Sequence, residues 1–180
     1  MGEIKSTLDL VMEKTRHMKL SPEERLEQKH RELAQRILGL LQKAQDGILG
    51  ADAFRAEYEE LKKEQGISDD AVFIKTALDA IDLESDNSAL AALLKDIGRM
   101  DVSRLSSLCD EFHNALQDAR QKATEACKDE LARIHCVSGS AVIPNLEKDA
   151  SWQAARQRLV AQFEHSLQQE KSRLADFRSG

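Results

Sequence analysis

Hydrophobic residues recur at three- and four-residue spacing from Ile4 to Phe177. An α-helix turns once every 3.6 residues, so this spacing collects apolar side chains on one face of each segment, whereas a half-buried strand needs alternation. One apolar stretch lacks the helical period, Val137 to Leu146. The spacing predicts an all-α protein, an elongated helical bundle of six or seven helices with coiled-coil-like long helices. It divides the single domain 1-180 into an N-terminal helical hairpin 3-47, a short-helix middle 51-98 and a long C-terminal helix pair 103-177. Composition agrees: only 4% of residues are aromatic and two are proline, while strands favour β-branched and aromatic residues.

Local punctuation places the helices. In the first, Ile4, Leu8, Val11, Thr15 and Met18 stand at 4-3-4-3 spacing, the narrow stripe of a coiled coil. Ser21-Pro22-Glu23-Glu24 is a start signal, with a capping hydroxyl, a proline at the first helical position and two carboxylates at the positive end of the dipole. The helix that follows carries Leu26, His30, Leu33, Ile37, Leu40 and Ala44 on its stripe and should stop at Gly47-Ile48, the sequence form of a Schellman cap. Gly66-Ile67 repeats that signal after a helix bearing Phe54, Tyr58 and Leu61, and Ser68-Asp69-Asp70 opens the next. Ala89 to Leu94 is apolar nearly all round, so a short helix there should be buried. The last two helices, about Ser103–Cys136 and Ser151–Phe177, would span roughly 50 and 40 Å. The connection between them, Val137–Leu146, reads as a crossover tucked against the end of the bundle.

Charge and cysteine usage narrow the function classes. The net charge is −6, against general nucleic-acid binding, which needs clustered Lys and Arg. No run approaches the ~20 apolar residues that span a bilayer, so no integral membrane association is expected. Cys109, Cys127 and Cys136 are an odd number in a chain long enough to bury its own core, which fits a reducing, cytoplasmic setting. Met1 to Ser6 matches the myristoylation pattern loosely, and Glu3 directly after Gly2 disfavours it.

No catalytic constellation stands out. Cys109 and His113 are one turn apart, and Cys127 lies five turns beyond Cys109. On one helix those cysteines are some 27 Å apart, too far for one zinc ion, which holds its ligands at 2.0–2.3 Å. The cysteines therefore read as small buried hydrophobes. Ser106 and Ser107 near His113 lack a strained elbow, the carboxylates Glu57 to Glu64 lack a Glu-x-x-His partner, and no glycine-rich phosphate loop is present. No cofactor, metal or enzymatic activity is expected. His30 interrupts an apolar stripe, where a polar residue can set register or oligomeric state. The reading is a non-enzymatic helical scaffold or adaptor that self-associates, as a homodimer, and binds a partner protein through long amphipathic helices. Ile4, Leu8, Val11, Met18 and His30 are its candidate interaction residues. The alternative is a bundle binding a small ligand or metal beside Trp152, Phe112 and His113, with the 137-146 loop as lid.

Overall fold

The computed structural model describes residues 21–176. They form six α-helices: α1 (Pro22–Gln45), α2 (Ala51–Gln65), α3 (Ala71–Ala80), α4 (Ser88–Asp96), α5 (Ser103–His135) and α6 (Ala150–Asp176). A 3-10 turn, Leu146–Lys148, precedes α6. The structure is 77% helical with no strand among the described residues. The all-α bundle predicted by the spacing is therefore what forms. The first predicted helix, with Ile4, Leu8, Val11 and Met18, lies outside the described residues.

The helix ends form for the local reasons given by the sequence. At α1 the Glu24 backbone N–H donates to Ser21 Oγ at 3.1 Å, and the Ser21 N–H donates to Glu24 Oε2 at 2.6 Å, a complete capping box with Pro22 in the first turn. Gly47 and Gly66 sit at φ 70° and 65°, where a side chain would be strained. Both complete Schellman caps: the Ile48 N–H reaches Lys43 O at 2.9 Å and the Ile67 N–H reaches Lys62 O at 3.1 Å. Their hydrophobic halves differ. Ile67 packs on the core, while Ile48 is 74% exposed. The α5 helix ends one residue before the predicted boundary, with Cys136 in the left-handed region at φ 55°.

Packing is organised around α1, which touches α2, α3 and α4. Its ridge is Leu33, Ile37 and Leu41, none more than 2% exposed. Leu40 and Ala44 flank it, partly buried. Against the ridge lies an aromatic group from two helices, with ring centroids 6.2 Å apart for Phe54–Tyr58, 6.0 Å for Phe54–Phe73 and 5.1 Å for Tyr58–Phe73. Tyr58 keeps its polar end satisfied by donating to Asp70 Oδ1 at 2.9 Å, and Lys62 Nζ donates to the same oxygen at 2.8 Å. Burial first, and then the Asp70 carboxylate, push the phenol far above its ordinary range. Leu90, Leu93 and Leu94 of α4 close the core, while Ala92 is exposed, so the short apolar helix is buried on one face and not all round. The α5–α6 pair docks through Leu105, Phe112, Leu167 and Leu174.

The apolar stripe of α1 is not covered along its whole length: Leu26 is 57% exposed and His30 is exposed, and the core begins at Leu33, one turn past His30. One expectation is corrected: the Val137–Leu146 connection is not tucked against the end of the bundle. Leu146 is buried, but Ile143 is 90% and Val137 46% exposed. Apolar composition predicted contact with the bundle; the reach of the two long helices carries the connection away from any core residue that could cover it.

The aromatic group sets the expected stability. Phe73→Ala removes a fully buried ring touching two others and should cost about 3–5 kcal/mol, measured by urea or guanidinium unfolding. A loss under about 1 kcal/mol would show that this contact is not central.

Candidate interaction surface

The long helices α5 and α6 pack mainly on each other. In α5 the buried residues are Leu105, Cys109 and Phe112, all in its first third. From residue 113 to 135 no residue is buried, although Leu116, Ala119, Ala123, Cys127 and Leu131 stay half-covered along one line. Leu159, Val160 and Phe163 of α6 are likewise only partly buried, and Phe163 meets Phe112 edge-on at 5.5 Å. Past that pair the hairpin is a single apolar seam between two helices. Its distal end is unusual: Ile134 is 52%, Val137 46% and Ile143 90% exposed. Residues 131–146 contain no Asp or Glu, in a chain that has 32 of them. Solvation of this end is thus left to Arg133, His135 and small polar groups.

A polar corner holds the distal end together. Asp149 stands before the first turn of α6 and accepts from the Trp152 N–H at 2.8 Å and from the Ser151 hydroxyl. Across the hairpin the Cys127 thiol donates to its other oxygen at 3.1 Å. The Ser151 hydrogen bond first, then the Trp152 N–H and Cys127, hold the Asp149 carboxyl down at about 2. The same contact raises the Cys127 thiol above its ordinary range. At the other end of α6, Glu170 is only 4% exposed, chelated by Arg173 and 3.5 Å from Arg104 Nε on the first turn of α5. Among the described residues no buried side-chain nitrogen or oxygen lacks a partner.

The thiol–imidazole cluster takes its place in a groove of about 300 Å³ lined by Asn87, Cys109 and His113. Asn87 Nδ2 lies 3.6 Å from Cys109 Sγ, but that amide chiefly holds the α3–α4 connection, donating to Asp82 O at 2.6 Å and Ser85 O at 3.1 Å. Burial raises the Cys109 thiol, the opposite of what a nucleophile requires. All three cysteines are free. No group of three His, Cys, Asp or Glu side chains that could hold a metal occurs among the described residues. Trp152, Phe112 and His113 do not share a cavity. Trp152 lines a separate groove with Arg156 and Glu84, and Phe112 is wholly buried beside Phe163. The 137-146 segment lines neither groove.

Of the candidate interaction residues, His30 is described and is exposed on α1; Ile4, Leu8, Val11 and Met18 lie outside the described residues. Sequence reading passed over Glu170, although its place was legible. It follows Phe163 and Leu167 and precedes Leu174 at 4-3-4 spacing, a carboxylate on an apolar stripe. The Tyr58–Asp70–Lys62 and Asp82–Asn87 contacts had no such signal.

Asp149 gives the hairpin a defined acid response. Its folded value near 2 lies below the usual carboxylate value of 3.8, so its stabilisation is complete above that value and disappears as pH falls through 2. Asp149→Asn should lower the Tm at pH 7, with the difference from the parent closing below pH 3. A constant difference from pH 7 to pH 2 would contradict this role.

No known protein family, no curated protein and no solved structure matches the chain.

Proposed function

We propose that this protein is a non-enzymatic helical adaptor that self-associates, as a homodimer, and presents the distal end of its α5–α6 hairpin to a partner protein. The observation that carries the reading is the exposed group Ile134, Val137 and Ile143 at the end of two long helices, in a stretch free of acidic residues. Exposed apolar side chains favour association, since each isoleucine or valine taken out of water contributes about 1.5–3 kcal/mol. The core supplies a packed base, and the three residues lie outside it. Net charge −6 favours a protein partner over nucleic acid. The free thiols, one of them exposed, favour a reducing, cytoplasmic setting.

The test is a capture experiment with parent protein and the double variant Val137→Ser/Ile143→Ser. Both residues are exposed, so thermal stability should change by less than about 0.5 kcal/mol. Partners recovered from cells of the native organism by the parent should be lost with the variant. Recovery of the same partners in equal amount by both would remove the hairpin end from the proposal.

A further inference from the structure

Trp152 is only 5% exposed, yet its indole N–H donates to no described group; its backbone N–H alone is engaged, by Asp149. Every wholly buried polar side-chain atom among the described residues has a partner, so this indole N–H stands at the surface. A donor at the edge of a buried ring calls for an acceptor from outside. The surface that Trp152 reaches is a groove of about 490 Å³. Arg156, Val160 and Glu164 follow Trp152 at four-residue spacing along one side of α6. Glu84, from the connection before α4, and Glu147, from the 3-10 turn, complete its charged rim.

The charges of this groove do not balance. Three carboxylates accompany one guanidinium, and Arg156 is already engaged, with Nε at 2.8 Å and Nη2 at 2.6 Å from Glu84 Oε1. Glu147 and Glu164 are exposed, and neither has a cation within ion-pair distance among the described residues. Glu164 accepts only from the Gln168 amide, at 2.7 Å. Between the indole and Glu164 lies the half-buried Val160.

We propose that this groove, a surface separate from the hairpin end, holds a basic peptide segment of a partner protein. A backbone carbonyl of the segment accepts the Trp152 N–H, an aliphatic side chain covers Val160, and lysine or arginine side chains answer Glu147 and Glu164. Length agrees with a peptide. Glu164 stands twelve residues beyond Trp152, about 18 Å along the helix. An extended strand covers that distance in about six residues. A free polyamine could meet the carboxylates but would give the indole no acceptor. Lipid headgroups and nucleic acids present phosphates, which these carboxylates repel.

The test uses three probes: a blocked hexapeptide of alternating leucine and lysine, its leucine–glutamate counterpart, and spermine. Trp152 is the one tryptophan of the chain, so its emission reports on the groove directly. The leucine–lysine peptide should shift that emission saturably, and the leucine–glutamate peptide should not. Affinities of the variants are read by anisotropy of the labelled leucine–lysine peptide. Trp152→Phe keeps a ring and removes the N–H, and should weaken binding about three- to tenfold. Glu147→Gln/Glu164→Gln, both exposed, should weaken it about tenfold with an unchanged melting temperature. Glu57→Gln/Glu60→Gln, exposed on α2, removes the same charge elsewhere and should leave affinity as it is. No saturable shift up to about 1 mM peptide overturns the proposal. So does an equal response to the leucine–glutamate peptide. Spermine binding as tightly as the peptide rejects a peptide occupant. Equal weakening by the α2 pair and the groove pair shows attraction to the acidic protein at large and rejects the groove.

Discussion

The ridge of Leu33, Ile37 and Leu41 on α1, seated against the rings of Phe54, Tyr58 and Phe73, is the contact on which the other helices depend. It joins segments that no local rule would bring together, since α2 and α3 are short and each buries only one face. Helices of 15 and 10 residues are marginal by themselves in water and gain their stability from such packing. The aromatic group also fixes the turn between them. Tyr58 cannot be buried with its hydroxyl unpaired, so Asp70 at the start of α3 must meet it, and Lys62 shares the carboxylate.

The long hairpin is held differently. Near the core, Leu105, Phe112, Leu167 and Leu174 bind α5 and α6 to the other helices, and Glu170 with Arg173 and Arg104 clamps the base. Lys171 Nζ donates to Ile81 O at 2.7 Å, and Arg156 pairs with Glu84, tying α6 to the segment after α3. Beyond residue 113 of α5, the two helices have chiefly one another, through a mostly half-buried seam that includes Leu116, Leu131 and Leu159, and through the Asp149 corner. That division, a firm base and a lightly packed end carrying exposed apolar groups, is the physical basis for the adaptor proposal. Interaction sites are commonly built from the less stable parts of a fold.

Helix boundaries were legible because their chemistry is local. Ser21 and Glu24, Gly47 with Ile48, and Gly66 with Ile67 each carry their own reason to start or stop a helix. Periodicity also identified the inward face of α1, but not where along that face a neighbour would lie, so Leu26 and His30 were grouped with Leu33. Composition marked Val137–Leu146 as apolar without telling that Ile143 would be 90% exposed. Contacts set by the meeting of distant segments, such as Lys171 with Ile81, leave no trace in the spacing. Glu170 did leave one, a charge where an apolar residue was due, with arginines on α5 and one turn along α6 to neutralise it.

The division between core and hairpin end is open to direct measurement by native-state hydrogen exchange followed residue by residue. The amides of Leu33 to Leu41 in α1 and of Phe73 to Leu78 in α3 should exchange only through global unfolding, at the highest free energy in the protein. Those of residues 117–131 in α5 and 153–160 in α6 should exchange through a partial opening of lower free energy that leaves the core amides protected. Equal protection across both sets would contradict the account, showing the hairpin and the α1 core to be one cooperative unit.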